Sequence, residues 1–182
     1  MSNPQKKEKQ IIKIPNVRLS FPSLFTTEVF GDDDTGKYAA TFILDMNEHE
    51  DSIAEIEAQI KAITKEKWKG KSLPDDRLCL KLGDPDRDEM DGKMTIKAST
   101  KKRPLVINRD KSPITEDDDI IYAGCYVNAI ISLWAQNNKY GKRINGSLEG
   151  LQFNGHGEPF GNAGVDADGF DLFSTEDEDI PF

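Results

Sequence analysis

The sequence predicts a mainly β domain that carries one α-helix and is followed by an acidic tail. Three observations support this. Between residues 10 and 153, stretch after stretch alternates apolar and polar side chains with the two-residue period of a strand. One segment alone, from Asn47 to Gly70, shows the three- and four-residue spacing of a helix with an apolar stripe. Beyond Phe153 the apolar patterning stops and the basic residues have already run out. With 36% hydrophobic and 31% charged residues in 182, the chain can build one core under an ion-rich surface.

Taken in order, the first strand is expected from Gln10 to Phe21 (QIIKIPNVRLSF), with Pro15 marking a bend or an edge. The loop GDDDTG, Gly31–Gly36, leads into KYAATFILD, where Tyr38, Ala40, Phe42 and Leu44 alternate with Ala39, Thr41 and Ile43. That pattern fits a strand covered on both faces. The helix follows, with Asn47 as its expected cap and Glu50 in capping-box register. Ile53, Ile56, Ile60 and Ile63 draw its apolar stripe, and Gly70 is the expected stop. Its polar face runs from acidic (Glu48, Glu50, Asp51) to basic (Lys65, Lys67, Lys69), as the helix dipole favours, and Trp68 reads as a core anchor. Further strands are expected at Arg77–Leu82, Gly92–Thr100, Pro104–Asn108, Asp119–Gln136 and Gly141–Phe153, the last two joined as a hairpin by NNKYG.

The expected organisation is a flexible N-terminus over 1–9, the β domain over 10–153, and a Gly-rich linker with acidic tail over 154–182. Residues 155–169 hold five glycines, and such a stretch buries too little apolar surface to offset its ordering entropy, so disorder is expected. Charge is divided the same way. All 24 Lys and Arg residues lie at or before Arg143, whereas nine of the 33 acidic residues lie beyond it. Residues 1–143 therefore carry 24 charges of each sign, and the net −9 comes wholly from the C-terminal part.

Signals for catalysis are weak. The two histidines, His49 and His156, do not stand with cysteines at zinc spacing, and no phosphate-binding glycine loop is present. The run DPDRDEMDG places Asp84, Asp86 and Asp88 like the start of a calcium loop. However, Glu89 stands where that loop needs glycine and Thr95 where it needs glutamate, so a solvated hairpin loop is expected. Cys79 and Cys125 sit inside apolar strand-like runs, which fits buried free thiols in a reducing compartment. No apolar run approaches the roughly 20 residues that span a bilayer, and MSNPQKKEKQ does not read as a secretory signal. No catalytic residue, metal ligand or cofactor is expected.

The cationic signals are better placed. In GKMTIKASTKKRP, Met94, Ile96 and Ala98 share one strand face, while Lys93, Thr95, Lys97, Ser99 and Lys101 share the other, with Lys102 and Arg103 directly after. A row of ammonium groups among small hydroxyls can track a phosphate backbone. In the hairpin, Cys125, Val127, Ala129, Ile131 and Leu133 form a core face. Tyr126, Asn128, Ile130, Ser132 and Trp134 lie opposite, and the turn adds Lys139, Tyr140, Lys142 and Arg143. Flat rings for bases and cations for phosphates are what binding single strands without sequence preference requires. Tyr126 and Trp134 could instead pack beneath the helix, while Tyr140 in a cation-rich turn fits a core poorly.

The chain ends TEDEDIPF, placing Ile180, Pro181 and Phe182 behind Glu176, Asp177, Glu178 and Asp179. An acidic tail can compete for a phosphate-binding groove at high effective concentration, and an apolar tip behind it offers a partner a ring to bury. This ending resembles the C-terminal tip of bacterial single-stranded DNA-binding proteins. The segments PNVRLSFPSLF (Pro15–Phe25), KYAATFIL (Lys37–Leu44), the helix, and Ile121–Phe153 resemble a phage and prophage family of single-stranded DNA-binding proteins. The resemblance implies an OB-fold barrel and non-enzymatic single-strand binding in phage DNA replication or recombination. It also implies a cytoplasmic location in a bacterial host cell and recruitment of replication or recombination proteins through the tail. A monomer or homodimer is expected, since the long helix after the second strand departs from the tetrameric bacterial proteins. Two rival readings are a protein-interaction module with no nucleic-acid role and a Mg²⁺-dependent nuclease built on Asp84, Asp86 and Asp88. RNA binding on the same fold is a third.

Overall fold

A computed structural model describes residues 10–160. Among the described residues nine strands form: β1 (Ile11–Ser23), β2 (Val29–Phe30), β3 (Asp33–Asp34), β4 (Tyr38–Leu44), β5 (Leu80–Leu82), β6 (Met94–Thr100), β7 (Leu105–Ile107), β8 (Tyr126–Asn138) and β9 (Gly141–Gly155). One helix, α1 (Glu50–Trp68), and two short 3-10 turns, Asp75–Arg77 and Glu116–Asp118, complete the described elements.

Five strands close a barrel. β1 pairs antiparallel with β4 and β8, β4 with β6, and β8 with β9, while β6 and β9 close the ring in parallel through Ala98–Gly146 and Ser99–Ser147. Counting these five in chain order, the ring runs 1-2-3-5-4, the OB-fold arrangement implied by the resemblance. Closure needs a glycine at Gly146, because a Cβ there would lie 2.7 Å from the Lys97 carbonyl oxygen. β5 extends the edge of β6, and β7 extends that of β9.

The alternation read from the sequence places the core. Ile12, Ile14, Val17 and Leu19 of β1 meet Phe42 and Leu44 of β4, Ile96 and Ala98 of β6, Val127, Ala129 and Ile131 of β8, and Leu148, Leu151 and Phe153 of β9. Ile56 of α1 is fully buried there, while Ile53 and Ile60 pack at its margin. Trp68 is 7% exposed, as a core anchor should be. The bend expected at Pro15 is a bulge, where the β1–β8 register shifts between Ile14 and Val17 and Asn16 takes φ +47°.

The helix termini differ from expectation. Asn47 does not cap α1, which begins at Glu50 with His49 in the cap position. The Asp45 carboxylate, two residues upstream, accepts the Asn47 and Glu48 backbone N–H groups at 2.9 and 3.0 Å, so the chain turns there first. His49 then fastens the helix start to β1. Its Nδ1 accepts the Asp45 N–H at 3.0 Å, and Nε2 lies 3.2 and 3.1 Å from the Pro15 and Asn16 carbonyl oxygens. At the other end Lys69, not Gly70, takes the left-handed cap at φ +54°, and Gly70 follows at +86°.

β9 continues past Phe153 to Gly155, and the next residues dock on the barrel. The Tyr122 hydroxyl bonds His156 Nδ1 and the Gly157 backbone, and the Phe160 N–H donates to the Ala123 carbonyl. The expected boundary at 153 thus falls inside a strand. The tail residues Glu176–Phe182 lie outside the described residues.

Candidate nucleic-acid interface

The outward face of the barrel is built strand by strand from positions that alternate with the core. Ser20 of β1 pairs with Thr41 of β4, and Thr41 pairs with Lys97 of β6. The parallel β6–β9 register sets Lys97 beside Asn145, and Asn145 pairs with Trp134 of β8. Five strands therefore contribute one transverse row, Ser20–Thr41–Lys97–Asn145–Trp134, about 19 Å long at the usual strand spacing, in which Ser20 is covered and the other four positions reach the surface.

A groove of about 380 Å³ opens over the middle of this row. Its floor is Thr41, Thr95, Lys97, Ser99, Asn145 and Gly146, and its wall is Arg77, Leu78, Cys79 and Lys81, with Arg143 closing one end. The wall exists because the chain before β5 wedges between β6 and β9. The Cys79 N–H donates to the Ile144 carbonyl at 3.0 Å, and the Lys97 N–H donates to the Cys79 carbonyl at 3.4 Å. Arg77 reaches the Tyr140 carbonyl at 3.5 Å and Arg143 the Asp76 carbonyl at 3.4 Å, so both guanidinium groups are aimed by neutral partners and keep their charge for a ligand. Among the described residues, the lining holds four cations and no carboxylate. Burial pushes the Cys79 thiol up to about 11, so it stays protonated at neutral pH and offers no thiolate to metals or electrophiles.

One acidic group reaches in from above. Glu28 Oε1 accepts from Lys97 Nζ at 3.0 Å, and the same ammonium stands 5.2 Å from the Phe30 ring centroid. Glu28 introduces the β2–β3 hairpin, which presents Val29 and Phe30 to solvent, 55% and 59% exposed. Asp34 braces this hairpin by accepting from the Gly36 N–H (2.8 Å) and the Thr27 hydroxyl (2.9 Å), bonds that hold its carboxyl below the usual range.

The structure sorts the residues singled out in the sequence. Lys97 and Arg143 line the groove. Trp134 is 43% exposed at the β8 end of the row, and Tyr140 is 69% exposed at the hairpin tip with the Lys139 ammonium 5.1 Å from its ring. Lys142, also exposed, pairs with Asn137 in the same hairpin. Lys101, Lys102 and Arg103 follow β6 in an exposed turn, where Arg103 donates to the Phe25 carbonyl at 3.1 Å. Lys93 sits outside the groove, near Asp45. There it adds to the Glu48 and Asn47 N–H groups in holding the Asp45 carboxyl below the usual range. Tyr126 faces outward yet belongs elsewhere. It is eight residues up β8 from Trp134, under the Arg18 guanidinium at 5.4 Å and against Gly157. Arg77 and Lys81 were missed, although the alternation of RLCLKL puts Arg77, Cys79 and Lys81 on one face. Phe30 gave no sequence signal beyond being apolar in a polar loop.

The calcium-like run forms a turn. Asp84 Oδ1 accepts the Asp86 N–H at 2.9 Å and Oδ2 lies 3.9 Å from Arg87. Among the described residues no group of three His, Cys, Asp or Glu side chains could hold a metal ion. No helix among the described residues is long and apolar enough to cross a membrane.

Comparison with known proteins bears on the family and the fold. Residues 10–181 match the family model described as Enterobacter phage Enc34, ssDNA-binding protein. Protein p50 of Acyrthosiphon pisum secondary endosymbiont phage 1 is 38% identical over 179 residues, covering 92% of this chain and 96% of that protein. Among solved structures, the single-stranded DNA-binding protein from bacteriophage Enc34 in complex with ssDNA superimposes with a TM-score of 0.75 at 33% identity, over 87% of this chain and 97% of that one. The fold extends to gp2.5, a single-stranded DNA binding protein encoded by bacteriophage T7, at a TM-score of 0.59 and 14% identity over 91% and 94%. The chain belongs to the family of the Enterobacter phage Enc34 ssDNA-binding protein.

Proposed function

We propose that this protein binds single-stranded DNA without sequence preference, laying the strand across the outward row with its phosphates over Arg77, Lys81, Lys97 and Arg143. Trp134 and Tyr140 stack on bases, and the exposed Lys101, Lys102, Lys139 and Lys142 extend the cationic track. The observation that carries this reading is the groove itself: four cations and no carboxylate among its described lining residues, flanked by exposed aromatic rings. A family relative solved with ssDNA supports it. Binding needs no catalysis, because a protein that prefers single strands over duplex melts hairpins by mass action. Coating strands in phage DNA replication or recombination is the role this supports, with Glu176–Phe182 recruiting partner proteins through an acidic segment and an apolar tip.

Tryptophan fluorescence titrated with poly-dT tests the binding. Only two tryptophans are present, and Trp68 is buried, so Trp134 is the reporter. Saturable quenching is expected, with log affinity falling linearly in log salt by about 0.7 per phosphate contact. A blank titration at low salt, matched by a blank gel shift both before and after deletion of Glu176–Phe182, would leave the protein-interaction reading in its place. For the tail, Phe182→Ala should abolish partner pull-down while leaving DNA affinity unchanged; recovery of the same partners would refute recruitment through the tip.

A further inference from the structure

Phe21 is held in an unusual way. It stands in β1 where the pairing with β4 slips between Ser20 and Ser23, and its φ is +46°. That left-handed conformation suits glycine and, less well, asparagine, and for a bulky aromatic residue it is a genuine outlier. The ring so presented is 48% exposed. The chain therefore accepts backbone strain and an exposed apolar ring at one position. Folding alone favours neither, and such strain, held in place by the surrounding structure, clusters at ligand-binding and active sites. A bulge re-aims a side chain, and this one aims Phe21 out of the β1 wall.

Two further observations point to the ligand. Phe21 follows Ser20, the covered (2% exposed) first position of the transverse row that runs through Thr41 and Lys97 to Trp134, so its exposed ring stands next to the β1 end of that row and Trp134 stands at the β8 end. The Arg87 guanidinium lies 4.5 Å from the Phe21 ring centroid, delivered by the loop between β5 and β6 and steadied by Asp84 and Glu89 at 3.9 and 3.7 Å. A flat ring beside a guanidinium offers a nucleobase a stacking face and its phosphate a cation.

We propose that Phe21 is a base-stacking platform at the β1 end of the DNA path, with Arg87 engaging the adjacent phosphate. The proposal rests on the single-stranded DNA reading and adds a subsite to it. The test uses the full chain, fluorescein-labelled oligo(dT) anisotropy across a salt series, and thermal melts. Phe21→Gly removes the ring and fits the left-handed backbone. It is expected to weaken binding about tenfold, with the salt slope unchanged and the melting temperature equal or higher. Phe21→Trp should keep near-native affinity and add a quenching signal. Arg87→Gln should lower the slope by about 0.7. If Phe21→Gly binds as tightly as the wild type, the subsite is refuted while the DNA reading stands. If Phe21→Gly lowers the melting temperature and Phe21→Trp binds no better than Phe21→Gly, the ring is a structural brace and the proposal fails. If the wild type itself does not bind oligo(dT), the DNA reading falls first.

Discussion

Apart from the Arg87–Phe21 pair, cations stand near aromatic rings around Arg18 and along the groove, and these two regions differ in how far their bonding capacity is already spent. Around Arg18 every group is spent within the protein. The guanidinium donates to the Gly124 carbonyl at 3.2 Å and the Glu158 carbonyl at 2.6 Å, and lies 5.4 and 4.2 Å from the Tyr126 and Phe160 rings. Tyr122 stacks on His156 with ring centroids 5.8 Å apart, and its hydroxyl is already bonded. Along the groove, Arg77 and Arg143 contact neutral carbonyls only at their margins, and Trp134, Tyr140 and Phe30 leave ring surface in solvent. Residue type does not distinguish a clamp from a binding site. The distinction lies in whether the hydrogen-bonding and stacking capacity is already filled.

The comparison can be broken most forcefully at the clamp. Arg18→Ala removes two charge-assisted bonds and releases the segment 156–160, and should lower unfolding free energy by about 3 kcal/mol in urea titrations. The salt slope of DNA binding should stay at its wild-type value. A variant that keeps its stability but loses DNA affinity would mean that the clamp is a binding site after all. Next in size, Trp134→Ala should weaken oligonucleotide binding by about 1–3 kcal/mol with an unchanged melting temperature, measured by anisotropy because the main fluorescent reporter is gone. A fall in stability with unchanged affinity would move Trp134 to the structural class. The smallest effect sharpens the contrast at its one ambiguous contact. Glu28 already occupies Lys97, so Glu28→Gln should tighten binding a few-fold at low salt, the pair being half-exposed on its lysine side only, and the gain should shrink as salt rises.

Much of this molecule can be read from local pattern. The period-two alternation over β6 and β8 separated core from outward faces, apart from the buried Ser132, and Ile53, Ile56 and Ile60 marked the buried side of α1, while Ile63 of the same expected stripe stays half-buried outside the core cluster. What could not be read depends on contacts distant in sequence. The groove wall forms because residues near Cys79 wedge between β6 and a strand more than sixty positions later, a pairing no local window contains. Tyr126 was placed on the correct face, but alternation is blind to the chain's own segment at 157–160 covering it. Lys93 shares the outward face of β6 yet lies past the groove's end, because face and position along the strand are independent. The helix start was misjudged because Asp45 and Asn47 are both good turn formers, and the Asp45 carboxylate takes two N–H groups where a single cap was expected.

In the proposed function, phosphates are read by the groove and not by the clamp. The measurement that tests it most directly is the salt dependence of oligo(dT) affinity for the protein with Arg77, Lys81, Lys97 and Arg143 all changed to alanine, set beside the wild type and Arg18→Ala. The slope of log affinity against log salt is expected to fall by about 0.7 for each groove cation removed and to stay unchanged for Arg18→Ala. An unchanged slope in the groove variant, or a reduced slope in Arg18→Ala, would contradict it.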